Sequence, residues 1–355
     1  MEKYTSKNLR TLAWIAATFA LVVIVFGAFV RLSNAGLSCP DWPTCYGKLS
    51  WPTQTHEVAA ANAAFPDRPV ESDKAWREQV HRMLVGGLSL VTFALAGFAF
   101  VRRRELGRLA WVAYFAAVFI IFQALLGMWT VTLKLLPLVV ASHLLGGMTL
   151  FALLAYTALR LTVDPVSSHV PVLHGTTASC GRLRRMTIAG IALVAVQIAL
   201  GGWTSANYAA LACGVDFPTC LDQWWPATDF QQAFVLWRRI GVDYEGGVLD
   251  APARTAIQLA HRIGALVVFG HVFATALRAA RTRELRGYAI ALGTALLAQV
   301  TLGISNVVFG LPLPVAAAHN AGAAVLLFAL LALLVLTRVE RRETRDVRSD
   351  VGLGS

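Results

Sequence analysis

Four of the eight histidines, His81, His143, His261 and His319, fall in otherwise apolar stretches of this sequence. An ionisable side chain at membrane depth is costly, so function is its default reading. For any one of them alone, a neutral ring bonded to a backbone carbonyl is an equally good account. They come, however, as two pairs at matching places in two similar halves. Neutral imidazole is an axial ligand for haem iron, and facing helices of a bundle can supply two such rings. Zinc or copper would want further Cys, Asp or His at the same depth, and no such cluster is there. One haem site per pair is therefore the expectation. His271 follows His261 by ten residues and is turned by about 280° from it on an ideal helix, which makes it structural. His56, His169 and His174 sit in polar loops and read as solvated.

Glu78 precedes His81 by three residues, on one helical face. Its counterpart before His261 is Gln258. A carboxylate beside a haem ligand can accept protons, polarise water or stabilise a cationic intermediate. Against this stand a carboxylate placed in the first turn of a helix, or a partner for Arg82 or Arg77. The change to Gln258 favours a reactive first half and an electron-transferring second half. Arg82 and Arg262 directly follow histidines, and two readings stand for them: contacts to haem propionates, or snorkelling to the interface. The cysteines divide into Cys39/Cys45 and Cys213/Cys220, closely spaced pairs in loops where an oxidising compartment preserves disulfides. A structural clasp suits Cys213–Cys220, whereas Cys39–Cys45, in the half with Glu78, is also credible as a redox pair. A zinc site would require the two loops to meet. Cys180 reads as a bystander.

The elements that carry these residues follow from composition. Of 355 residues, 57% are apolar and 14% charged, against about 25% charged in soluble proteins. A water-facing surface of this size cannot be covered with so few charges, so the chain is an all-α integral membrane protein. A spanning helix needs about 20 apolar residues, and eight segments qualify, at 11–30, 80–101, 109–129, 138–159, 186–204, 256–277, 288–309 and 314–337. The first has too long an apolar core for a cleaved signal peptide. Lys and Arg alternate sharply between loops: 20 of the 31 fall on one side, beginning with Lys3, Lys7 and Arg10 and ending with the tail from Arg338. The positive-inside rule puts both termini in the cytoplasm. The net charge of +11 is thus explained by orientation in a bilayer, and nucleic-acid binding is not expected. A bacterial inner membrane is the expected home.

The halves repeat. Cys39, Cys45, His81, Gly127 and His143 are answered by Cys213, Cys220, His261, Gly303 and His319 at offsets of 174, 175, 180, 176 and 176. The expected architecture is two tandem four-helix bundles related by a pseudo-twofold axis along the membrane normal. Residues 1–163 form the first, with a long outer loop over 32–79, and 164–185 is a cytoplasmic linker. Residues 186–337 form the second, with an outer loop over 205–255, and 338–355 is a cytoplasmic tail.

At Leu37-Ser38-Cys39-Pro40-Asp41-Trp42-Pro43, Glu78-Gln79-Val80-His81-Arg82, the repeated histidines and Asp216-Phe217-Pro218-Thr219-Cys220, the sequence resembles the haem A synthase family. The resemblance covers about residues 10–337 and is closest to the cysteine-containing bacterial branch. It implies oxidation of the C8 methyl group of haem O to the formyl group of haem A, by two hydroxylations and loss of water. It further implies substrate haem at His81/His143, a haem b cofactor at His261/His319 and a catalytic Glu78. The partners implied are haem O synthase (the farnesyltransferase), cytochrome oxidase assembly and an electron partner of open identity, in a lipid bilayer; a homo-oligomer is compatible with it. The competing reading is a di-haem b-type electron carrier that oxidises quinol and leaves haem unmodified; the Glu78/Gln258 difference and the loop cysteines argue against it. A transporter comes third.

Overall fold

The computed structural model describes residues 2–163 and 177–351, with side chains from 7 to 163 and from 180 to 337. His169, His174 and most of the expected linker lie outside the described residues. Among the described residues the secondary structure is helical, apart from isolated bridges between Cys45 and Lys48 and between Cys220 and Gln223. The helices are α1 (Glu2–Leu32), α2 (Thr55–Ala64), α3 (Ser72–Val101), α4 (Arg103–Leu106), α5 (Arg108–Thr132) and α6 (Pro137–Thr162). After the undescribed segment come α7 (Thr177–Ala206), α8 (Phe230–Ala233), α9 (Ala251–Ala280), α10 (Arg286–Val308) and α11 (Leu313–Val351), with a 3₁₀ turn at Arg283–Leu285.

Eight of these are long and apolar enough to cross a membrane: Lys7–Leu32, Ser72–Val101, Arg108–Thr132, Pro137–Thr162, Cys180–Ala206, Ala251–Ala280, Arg283–Val308 and Leu313–Thr337. In lipid every backbone donor and acceptor must be satisfied within the segment, which an α-helix does. Large apolar side chains such as Leu90, Trp111, Leu266 and Ile290 accordingly stay exposed on the outer surface of the helices. The small residues Ala13, Ala16, Ala17, Ala155 and Ala158 are buried and let backbones approach.

Contacts close each set of four spans into a ring: α1 with α3, α3 with α5, α5 with α6 and α6 with α1, then α7, α9, α10 and α11 in the same manner. The rings meet where α6 packs on α7 and α11, and α1 on α11. One apolar core runs through both, from Leu9 and Ala13 to Leu330 and Leu336.

Where the long loops enter a span, two boundaries depart from the hydropathy reading. α3 begins at Ser72 rather than 80, and α9 at Ala251 rather than 256. The added turns are polar, so hydropathy does not register them; Asp250, whose carboxylate accepts from the N–H of Ala253, caps the second. At 30 residues α3 is about 45 Å long, and the hydrocarbon layer is about 30 Å. Its first turns therefore project, and the long loops fold back against them. The second loop also crosses to the first ring. Tyr244 donates its N–H to the Lys134 carbonyl at 3.1 Å and is buried with Leu37, Leu135 and Leu136. Arg68 pairs with Asp243 and, at 3.0 Å, with Glu245.

Candidate functional site

Each of the four histidines lies against a glycine of the preceding span, and the lack of a side chain there makes the room. A Cβ on Gly27 would come within 2.8 Å of the His81 ring, on Gly127 within 3.1 Å of His143, on Gly201 within 3.2 Å of His261 and on Gly303 within 3.0 Å of His319. His81 on α3 and His143 on α6 stand on opposite helices of the first ring, as His261 on α9 and His319 on α11 do in the second. The structure thus brings the histidines together in the two expected pairs. Phe26 stacks on His81 at 6.4 Å and continues through Trp76 and Phe29 as an aromatic wall.

Beside three of these rings stands a glutamine that the sequence reading overlooked. Gln123 Nε2 lies 3.1 Å from His143 Nδ1 and donates to the His143 carbonyl at 2.5 Å. Gln197 does the same for His261, at 3.0 and 2.9 Å. Gln299 approaches the His319 ring at 3.5 Å. The signal was present as Gln-x-x-Leu-Gly in three spans, at Gln123, Gln197 and Gln299, each glutamine one helical turn before the glycine that faces the histidine.

Glu78 is the one buried carboxylate among the described residues, with 5% of its surface exposed. Oε2 accepts from the N–H of Cys39 at 3.0 Å and lies 3.1 Å from Ser38 Oγ, while Oε1 accepts from Arg82 Nη2 at 2.6 Å. Of the alternatives to catalysis, the Arg82 partnership is realised. The first-turn placement is not, because α3 begins six residues earlier, and Arg77 turns instead towards Asp73 at 3.9 Å. In the second ring Gln258 Oε1 accepts from the N–H of Cys213 at 3.2 Å. Both positions therefore latch a helix to a disulfide loop, through an acid in one ring and an amide in the other.

Arg82 Nη1 donates to the carbonyls of Asp41 (2.8 Å) and Thr44 (2.5 Å), and Arg262 to those of Asp216 (2.9 Å) and Thr219 (2.8 Å). Simple snorkelling does not describe them: each is a clamp on its loop. The two clamps differ in charge. Arg82 is neutralised by Glu78, whereas Arg262 has no carboxylate partner within ion-pair distance among the described residues.

The loops so held are tied by Cys39–Cys45 and Cys213–Cys220, with Cα separations of 4.8 and 4.5 Å. Each cysteine pairs within its own loop, so the four sulfurs form no shared zinc site here. Asp41 closes the first hairpin, accepting from the Thr44 hydroxyl and from the N–H groups of Tyr46 (2.6 Å) and Gly47 (2.8 Å). Partial burial pushes its pKa up, but these three donors outweigh that and hold it below the ordinary aspartate value. Mass mapping of non-reduced peptides should recover both intra-loop links. Because the Cys39 N–H is a partner of Glu78, Cys39→Ser/Cys45→Ser should lower activity more than it lowers melting temperature. Cys213→Ser/Cys220→Ser should act on stability, at about 2 kcal/mol for a loop this short.

The remaining residues are outside the site. His271 Nε2 donates to the Met186 carbonyl at 2.8 Å, the structural role expected. His56 is exposed on α2, and Cys180 is not in a disulfide.

With this geometry in view, comparisons with known proteins are informative. The family profile described as cytochrome oxidase assembly protein, COX15-CtaA, matches residues 10–331. A heme A synthase of Shewanella oneidensis is 41% identical over 323 residues, covering 91% of this chain and 94% of that one. Heme A synthases of Rhizorhabdus wittichii (27% identical, covering 89% of this chain and 90% of the relative) and Paracoccus denitrificans (29%, covering 90% and 85%) are similar over nearly their whole length. A match that takes in all eight spans, both histidine pairs and both latched loops leaves no part of the site outside it: the chain belongs to the COX15-CtaA family of cytochrome oxidase assembly proteins.

Proposed function

We propose that this protein oxidises the C8 methyl group of haem O to a formyl group, yielding haem A for terminal oxidases. It is a multi-pass protein of the bacterial inner membrane, and its Arg-rich loops face the cytoplasm. The observation that carries the reading is the pair of half-buried histidines in each ring, accompanied by a buried carboxylate in only one ring. Residues 1–163 bind the substrate haem O between His81 and His143. Residues 186–337 hold haem b between His261 and His319. The residues present fit these groups: paired imidazoles are a haem donor set, and each histidine ring has a glycine against it that leaves it room.

When bound, haem b supplies one-electron transfer. The work of this chain's own residues is to orient and to move protons. Gln123 and Gln197 fix the rings of His143 and His261. Glu78, one turn from His81, lies on the face presented to the substrate. Its negative charge stabilises positive charge developing at the methyl carbon, and its oxygens take up the proton released as oxygen is added. Two such additions remove four electrons in all and give a geminal diol, which loses water to the aldehyde. Arg82 and the Cys39 N–H keep the carboxylate aimed. Gln258, with the same latch and no exchangeable acid proton, leaves the second ring to electron transfer. Arg262, with no carboxylate within ion-pair distance among the described residues, is the stronger of the two arginines as an anchor for anionic propionates. Haem O synthase supplies the substrate, and oxidase assembly consumes the product.

The test is direct. Purified full-length protein in lipid nanodiscs is given haem O and an electron acceptor; the haem is then extracted, separated and weighed by mass spectrometry. Haem A together with its hydroxymethyl precursor is expected. Unchanged haem O in a protein that still cycles electrons would favour the di-haem carrier.

A further inference from the structure

The four histidines are not held alike. In three spans a glutamine stands one turn before the ring-facing glycine: Gln123 before Gly127, Gln197 before Gly201 and Gln299 before Gly303. In α1 that position, before Gly27, is Val23. A second difference accompanies the first. Three residues after His143, His261 and His319 come Gly146, Gly264 and Gly322, and a Cβ on any of them would collide with the Oε1 of the corresponding glutamine. Three residues after His81 comes Leu84. The glutamine and the glycine that makes room for it are thus a couple, present three times, and replaced as a couple by Val23 and Leu84, which join the apolar core. The consequence is visible at the ring. No glutamine reaches the His81 ring and its Nδ1 is buried without a hydrogen-bond partner, whereas Nδ1 of His143 and of His261 meets Gln Nε2 at 3.1 and 3.0 Å; His319, whose Nδ1 is also unpartnered, is met at its Nε2 by Gln299 at 3.5 Å.

A histidine that ligates a metal through one ring nitrogen normally has the other fixed by a hydrogen bond, which sets the tautomer and ring orientation and raises its basicity. A glutamine amide serves either state of that nitrogen. Its Nε2 faces Nδ1 of His143 and of His261 and Nε2 of His319, and its Oε1, buried and unpartnered in all three glutamines, is the acceptor available once the facing nitrogen carries the proton. Val23 provides neither. We infer that His81 is the exchangeable axial ligand of the molecule, released by the Val23/Leu84 couple, while Gln123 and Gln197 are positioning residues that lock His143 and His261 through Nδ1, and Gln299 stands against the His319 ring at Nε2. This rests on the reading of the four histidines as haem ligands. It gives the reactive ring an iron coordination position that opens next to Glu78, and denies one to the electron-transferring ring. Weak holding also suits a site whose haem must leave as product.

Carbon monoxide, which binds reduced haem only where an axial ligand yields, is the probe. His261→Ala protein, retaining haem in the first ring, and His143→Ala protein, retaining it in the second, report first: if neither changes haem content or spectrum, the ligand reading itself fails. If both do, wild-type protein should show carbon monoxide binding at the first-ring haem and not at the second. Val23→Gln/Leu84→Gly should weaken that binding and slow haem loss, each by about 10–100-fold, the usual effect of a partner to a ligating histidine. The reciprocal Gln197→Val/Gly264→Leu should make the second-ring haem reactive towards carbon monoxide, and it tests the idea independently if the first double variant does not fold. Equal reactivity of the two haems in wild type, or a haem spectrum and carbon monoxide affinity unmoved by either double variant, would overturn the inference.

Discussion

Glu78→Gln is expected to leave the protein folded and loaded with haem while conversion of haem O to haem A falls by about 10²–10⁴-fold, the usual contribution of a positioned acid–base group. The expectation of normal folding has a structural basis. Gln258 already makes the corresponding latch, accepting from the Cys213 N–H as Glu78 accepts from that of Cys39. An amide at position 78 therefore reproduces a contact that this fold uses elsewhere. What it removes is the charge that pairs with Arg82. Arg82 then resembles Arg262, which holds its loop through carbonyls without an acid. The measurement is haem A formed per bound haem O, with the hydroxymethyl intermediate followed alongside. A latch without catalytic function would give the opposite pattern: full conversion per folded molecule, and a lower yield of folded protein. Wild-type conversion in a normally loaded variant would remove Glu78 from the mechanism.

Loss of a ligand in the second ring should be felt differently. His261→Ala and His319→Ala are each expected to abolish tight haem b binding, since one of two axial nitrogens disappears and a cavity is left against Gly201 or Gly303. His261→Ala also takes the ring contact from Gln197 Nε2, which keeps only its bond to the carbonyl of residue 261. His81→Ala and His143→Ala should instead impair turnover of substrate haem while the second-ring haem remains. Haem extracted per mole of purified protein, set beside conversion rate, separates the two classes. Identical haem loss in all four variants, with equal activity per remaining haem, would abolish the division of labour between the rings.

Much of this protein could be read without its fold, because the relevant properties are local in the chain. Length of an apolar run, the sign of the charges that flank it and the presence of an ionisable group within it need no knowledge of neighbours. They sufficed for eight spans, for singling out His81, His143, His261 and His319, and for noticing Glu78 against Gln258. What the chain order conceals is partnership. Gln123 is 20 residues from His143 and Gln197 is 64 from His261; only the facing of α5 on α6 and of α7 on α9 turns a polar residue in an apolar run into the neighbour of a ligand. The same holds for Arg82 and Arg262, which look like lipid-interface arginines until the loops 40-odd residues away fold back onto them. Hydropathy also stopped short of Ser72 and Ala251, because the outer turns of α3 and α9 are stabilised by contact with those loops rather than by lipid. The sequence by itself singled out the four histidines and Glu78 and the spans that carry them. The tertiary structure alone decided which of them are held, by what, and that the His81 ring is the one no glutamine reaches, since a hydrogen bond is a relation between two places in space and only one of them is written at any position in the chain.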